Sequence, residues 1–258
     1  MSDTPMAGYI VGAVRSADAP PSKEMVEEFM AMGAKLPADF GFTKIFLGPA
    51  LKTSEMAEGC PNTSIVFKFA SKAKAVEFYE GAEYKAWAAK YGIGTKIKRD
   101  MRIIEAPAEL FVAGKAYWLA LLYHVHDTER FGAYFEAFVA ANTKGFTVPL
   151  EDGTVAEKVV LEIKWAGPSD FKEEALKMVP AAGDGQPFLP GTMTDQGLVL
   201  IGEMPTHAIG KAFKGCVEYK NTMLAPFKKT YTDEAAYEAD VKTFMAEIFT
   251  RDVRIIGV

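Results

Sequence analysis

With 258 residues and 49% hydrophobic side chains, the chain has the length of two ordinary domains and enough apolar matter to fill their cores. Its formal net charge of −5 and scattered lysines exclude the concentrated basic surface that a nucleic-acid binder needs. The N-terminus (MSDTPMAGYIVGAVR) lacks a signal-peptide pattern, and no stretch reaches the roughly 20 apolar residues of a membrane span. Cys60 and Cys216 read as free thiols of a reducing compartment, so a cytoplasmic protein with neither a membrane nor a nucleic-acid partner is expected.

In chain order, Tyr9 to Arg15 reads as a strand, and Ser22 caps a helix over Lys23 to Lys35 that carries Met25, Phe29, Met30 and Met32 at helical spacing. Strands follow at Phe42 to Leu47 and Ser64 to Ala70. Ser71 then caps a helix with Ala75, Val76, Phe78 and Tyr79 on its buried side, and Lys96 to Ile104 closes the set. After Ala106-Pro107-Ala108-Glu109 the pattern restarts with a strand at Tyr117 to His126. A helix from Thr128 to Thr143 places Phe131, Tyr134, Phe135 and Phe138 on one side. The Asp152-Gly153 turn precedes a strand at Lys158 to Trp165, and residues 180–196 are loop by composition. A strand at Leu198 to Met204, a helix from His207 to Leu224, an inserted helix at Asp233 to Ile248 and a last strand complete the chain.

The restart is a repeat. Arg99-Asp100-Met101-Arg102-Ile103-Ile104 returns as Arg251-Asp252-Val253-Arg254-Ile255-Ile256, and Glu83-Tyr84-Lys85 returns as Glu218-Tyr219-Lys220. The strand at Ser64 matches the one at Val199, and Tyr9 matches Tyr117. The offset between matched residues grows along the chain, so the second copy carries insertions, near 145–197 and 226–249. The fold class is therefore α+β: two ferredoxin-like βαββαβ repeats, over 1–107 and 113–258, each with both helices on one sheet face. Two uncovered apolar sheet faces predict an intramolecular dimeric α+β barrel.

Lys115-Ala116-Tyr117-Trp118, followed by Asp127, Phe131 and Tyr134, resembles the opening of the family of unknown function numbered 1330, within the dimeric α+β barrel superfamily. A second signature, strand, small turn, Ala-rich helix and Glu-Tyr, is similar to that family twice: at Phe69 to Tyr84 and at Met204 to Tyr219. The resemblance covers most of the first copy and the two ends of the second. It fails over 145–197 and 226–249, and the first copy lacks the Asp-x-x-x-Phe-x-x-Tyr opening. It implies the fold and leaves the chemistry open, because relatives in the superfamily include cofactor-free monooxygenases, haem-handling enzymes, isomerases and cyclases.

Alternation along the strand from Tyr117 puts Trp118, Ala120, Leu122, His124 and His126 on one side and Tyr117, Leu119, Leu121, Tyr123 and Val125 on the other. The family pattern implies that the second set meets the helices and the first faces a cavity. The expected site therefore lies in the second copy. His124 is the candidate catalytic acid–base, and Trp118, Leu122, His126, Glu203, Arg254 and Lys164 are the candidate ligand-binding residues. Asp100–Arg102 and Asp252–Arg254 read first as ion pairs on one strand face, with recognition of an anion or carboxylate by the arginines as the alternative. His124 and His126 could ligate a metal only with a third ligand from His207, Glu162 or Glu203, and neither a metal nor a cofactor is expected. Phe188 and Leu189 sit at the tip of a loop that could lid the pocket.

Two functions fit these residues. One is a binding protein for a small hydrophobic or aromatic molecule; the other is a cofactor-independent enzyme (monooxygenase, isomerase or cyclase) using a pocket histidine. Homo-oligomerisation stays open.

Overall fold

The computed structural model describes residues 4–17, 21–52, 61–173, 198–213 and 215–258. Its strands and helices run in chain order as β1 (Met6–Ala17), α1 (Lys23–Ala34), β2 (Thr43–Pro49), β3 (Leu51–Lys52), β4 (Thr63–Phe69), α2 (Lys72–Glu80), α3 (Ala82–Lys90) and β5 (Ile97–Pro107). The second half continues with β6 (Ala116–Val125), α4 (Thr128–Lys144), β7 (Phe146–Pro149), β8 (Val155–Val159), β9 (Glu162–Pro168) and β10 (Asp170–Glu173). It ends with β11 (Leu198–Met204), α5 (His207–Phe213), α6 (Val217–Leu224), α7 (Glu234–Glu247) and β12 (Phe249–Gly257).

Helix starts follow the capping chemistry written in the sequence. Ser22 Oγ accepts from the Met25 amide at 3.1 Å, and Ser71 Oγ from the Lys74 amide at 3.3 Å. Asp127 and Asp233 do the same for α4 and α7. Two expected elements break. The helix expected over His207 to Leu224 is interrupted at Gly215–Cys216, giving α5 and α6. The strand expected over Lys158 to Trp165 is split at Val160–Leu161, where the Asn142 side chain of α4 accepts from the Leu161 amide at 2.8 Å and donates to its carbonyl at 3.0 Å.

The chain divides into two compact units. Of the described residues, unit 1 takes 4–50, 61–111 and 169–173, and unit 2 takes 51–52, 112–168 and 198–258. The sheet of unit 1 has the order β10-β5-β1-β4-β2, and that of unit 2 the order β3-β12-β6-β11-β9. Every pairing in both sheets is antiparallel. Without the outermost β10 and β3, each sheet has its own first strand in second place, flanked by its fourth and third, with its second at the edge. That is the ferredoxin-like order, so the chain is an α+β protein of two ferredoxin-like repeats. Each repeat gains a fifth strand from the other half of the sequence. β10 pairs Phe171 with Arg102, and β3 pairs Lys52 with Arg254.

One face of each sheet carries the helices. In unit 1, Ile10, Phe67, Met101 and Ile103 pack with Phe29 of α1, Phe78 of α2 and Trp87 of α3. In unit 2, Trp118, Ala120, Leu122, Val253 and Ile255 pack with Phe138 of α4, Phe213 of α5, Tyr219 of α6 and Phe244 of α7. Each of the larger aliphatic and phenylalanine side chains contributes roughly 1.5–3 kcal/mol of burial free energy. The helix-free faces are buried as thoroughly, with Tyr9, Val11, Tyr117 and Ile201 nearly inaccessible.

The repeats solve the same packing problems with exchanged sizes. A Cβ at Gly8 of β1 would lie 2.2 Å from the Ser71 carbonyl oxygen, so in unit 1 the strand supplies the missing side chain where α2 begins. In unit 2 the matching strand residue is Ala116, and the helix gives way: a Cβ at Gly210 of α5 would sit 2.3 Å from that of Ala116. The second exchange shapes the site. Ile10 lies opposite Phe67 in unit 1, whereas Trp118 lies opposite Gly202 in unit 2.

Candidate functional site: an apolar cavity in unit 1

Between the sheet and helices of unit 1 lies a cavity of about 240 Å³. Ile10 and Phe67 line it from the sheet, Phe29 and Trp87 from the helices, and Thr63, Tyr79, Tyr84 and Arg99 are its described polar lining residues. Arg99 is the one charged residue among the described lining residues. Strand β5 aims it at the helices, opposite Val14 in register. Its Nη2 donates to the Tyr84 hydroxyl at 2.7 Å, and its guanidinium lies 5.9 Å from the centre of the Trp87 ring. A buried guanidinium is costly unless hydrogen-bond acceptors and a π face compensate it, and Tyr84 supplies one acceptor and Trp87 a ring.

Unit 2 contains the same arginine without that chamber. Arg251, the repeat of Arg99, donates to the Tyr134 hydroxyl at 2.7 Å and to the Tyr219 hydroxyl at 3.4 Å, and meets the Met223 sulfur at 3.1 Å. The rings of Trp118, Tyr134 and Phe249 stand 4.9–5.4 Å from its guanidinium carbon. Counted from the helix caps Ser22 and Asp127, the place of Tyr134 is held in unit 1 by Phe29, which lacks the hydroxyl. By the Glu-Tyr-Lys match, the place of Met223 is held by Ala88, and that of Trp118 by Ile10. Each of these three side chains is smaller than its counterpart beside Arg251.

The structure separates the site residues expected from sequence. Trp118 and Leu122 belong to the helix-side core of unit 2, Trp118 stacking on Phe138 with centroids 6.4 Å apart. This reverses the expected facing of β6. It is the Tyr117, Leu119 and Leu121 set that lies on the helix-free face, where register places Glu203 opposite Tyr117 and Arg254 opposite Leu119. Glu203 accepts from the Tyr117 hydroxyl at 2.9 Å, and Lys115 Nζ is 3.9 Å away. Burial pushes the Tyr117 hydroxyl well above the usual phenol range. Arg254 donates from Nε to Asp252 Oδ1 at 2.9 Å, the ion pair read from the sequence, and both side chains are buried. In unit 1, Asp100 is paired with Arg15.

Lys164 bridges to Glu162 at 3.2 Å on β9. His126 sits just past β6, half-buried, its amide donating to the Ile248 carbonyl at 2.9 Å. His124 lies opposite Thr250, beside a register shift in the β6–β12 pairing; its side chain lies outside the described residues, as do Cys60, Phe188 and Leu189. The described lining of the cavity therefore holds none of the expected set, and its own Arg99, Tyr84 and Phe29 were not singled out for a site. The signal was nevertheless present: the two most similar segments of the repeat contain Arg99 and Tyr84, which bond each other.

A duplicated ferredoxin-like α+β protein with one arginine facing an apolar cavity in its first unit is the class that fold and site define. No family model matches the chain, so its resemblance to the family numbered 1330 rests on the quoted motifs alone, and no curated protein matches it. Among solved structures, an anthrone oxidase-like protein is similar with a TM-score of 0.41 and 9% identity, over 96% of this chain and 90% of that one. A proposed monooxygenase from Lactobacillus acidophilus follows, with a TM-score of 0.34 and 10% identity over 97% of this chain and 92% of that one. Among the described residues no helix is long and apolar enough to cross a membrane.

Proposed function

We propose that the chain is a binding protein for a small hydrophobic or aromatic molecule, held in the cavity of unit 1. The carrying observation is the cavity itself, about 240 Å³ of space walled by aromatic and aliphatic side chains beside a single guanidinium. That volume is near the small end of ligand pockets, about 300–1,000 Å³, and equals about eight water volumes of about 30 Å³ each. A ligand of one or two rings fits that scale. Binding is favoured over turnover because the described lining holds no His, Asp, Glu, Lys or Cys, the groups that move protons near neutral pH.

The test is calorimetric titration of the whole chain with 2-naphthylmethanol, beside solvent extraction and mass spectrometry of protein as purified. Saturable one-to-one binding that is lost in Ile10→Trp supports the reading. Binding that Ile10→Trp leaves intact, or no saturable binding of any apolar probe, overturns it.

A further inference from the structure

We infer that Met101 is the specificity-determining residue of the unit 1 cavity: its thioether covers the bare backbone of Gly12 and sets how large a ring system the cavity admits. The inference rests on the binding reading above and adds to it the residue that limits ligand size.

The placement follows from alternation and register. Ile10, Gly12 and Val14 share the helix side of β1, and Met101 of β5 lies opposite Gly12. A Cβ at Gly12 would overlap the Met101 sulfur and lie 2.9 Å from its methyl carbon. The thioether therefore occupies the space in which Gly12 has no side chain. Met101 is 2% exposed and lines the cavity, whereas Gly12, which it covers, is not among the described lining residues.

Unit 2 fills the same place in another way. The repeated hexapeptide puts Val253 at the place of Met101, and register sets it opposite Ala120. There each strand carries its own short side chain, and both residues belong to the packed core. In unit 1 one long unbranched chain serves for two.

That exchange makes this part of the wall adjustable. Methionine has three rotatable bonds and adapts to irregular space, whereas the neighbouring Ile10, Val14 and Ile65 are β-branched and stiff. Met25, the other thioether of the described lining, comes from α1; Met101 differs from it in lying over a strand residue without a side chain. Truncating Met101 deepens the cavity to the Gly12 backbone. A methyl group added at Gly12 instead displaces the thioether from the strand.

The experiment titrates the whole chain calorimetrically with 2-naphthylmethanol and with the larger 9-anthracenylmethanol. It reads the ratio of the two affinities within each variant, which a loss of stability leaves unchanged. Met101→Ala should move the ratio toward the anthracenyl probe by roughly tenfold or more, the lower end of what one methylene in an apolar pocket does. Gly12→Ala should move it by a similar factor toward the naphthyl probe. A ratio within about twofold of wild type in either variant, or a shift opposite to the one expected, overturns the assignment, while naphthyl binding keeps the binding reading. If neither probe binds wild type, the binding reading fails and the assignment with it. A variant that does not fold leaves the decision to the other. Should both fail to fold, wild type carrying isotope-labelled methionine methyl groups decides by nuclear magnetic resonance, the Met101 signal being assigned through the volume-conserving Met101→Leu. Saturating 2-naphthylmethanol should shift that signal by its ring current, and an unmoved signal overturns the assignment.

Discussion

Arg99 and Tyr84 hold each other across a 2.7 Å hydrogen bond, and the chain builds the pair a second time as Arg251 and Tyr219 at 3.4 Å. The last strand of each repeat is thus tied at the same point to the helix that carries its Glu-Tyr-Lys segment. What differs is the filling around the tie: dense in unit 2, hollow in unit 1.

That difference predicts the outcome of exchanging the filling. Ile10→Trp should close the cavity, abolish binding of apolar probes and change stability by less than about 3 kcal/mol, the cost of overpacking a core partly offset by filled space. Trp118→Ala in unit 2 should instead cost about 3–5 kcal/mol, because its ring lies in a closed core against Phe138. Urea midpoints of the two variants check both values, and equal losses would contradict the asymmetry.

The buried Asp252–Arg254 pair predicts a large loss when half of it is neutralised. Asp252→Asn leaves the Arg254 charge inside without its carboxylate, at a cost of about 3–5 kcal/mol. Replacing the exposed Glu162, which bridges to Lys164, should cost less than about 1 kcal/mol. Chemical denaturation of the two variants side by side distinguishes these magnitudes.

Alkaline pH should unfold the protein through its buried tyrosines. Burial pushes the Tyr9 hydroxyl up to about 12, above the ordinary value of about 10. Between these values the unfolded chain releases the proton while the folded chain keeps it. The stabilisation is therefore complete below about pH 10 and is lost as pH rises through about 12. Denaturation midpoints taken from pH 8 to 12 should decline over that window, and less steeply in Tyr9→Phe.

Cys216 should be chemically silent in the folded state. It is fully buried, its thiol donates to Glu218 Oε2 at 3.3 Å, and burial pushes its pKa up to about 12. The thiolate that reacts is scarce at pH 8. Peptide mapping after iodoacetamide should find Cys216 unmodified in native protein and modified in urea.

The strands, the repeat and the helix caps were readable because each is a local pattern: apolar runs, a hexapeptide written twice, Ser or Asp before a helix. The facing of β6 was not readable. Trp118, Ala120 and Leu122 on one side and Tyr117, Leu119 and Leu121 on the other are all buried, and a strand buried on both faces loses the alternation that assigns them. The cavity escaped notice for another reason. It is lined by Ile10 and Phe29, both smaller than Trp118 and Tyr134 at the matching places, and an absence of atoms shows only when both repeats are compared in three dimensions. The edge strands β3 and β10 lie in connections whose composition gives no strand signal.

Those two short strands bind the history of the repeats together. Because Leu51–Lys52 completes the sheet of the C-terminal half and Asp170–Glu173 that of the N-terminal half, neither half owns all of its own sheet. A gene cut between residues 111 and 112 would encode two fragments, each short of one border strand and each carrying a segment that belongs elsewhere. Duplicated genes are ordinarily free to be separated, shuffled or lost singly. Here the reciprocal loan of a strand makes the two inheritances one, and a change at Lys52 is registered beside Arg254, in the half of the chain that does not encode it.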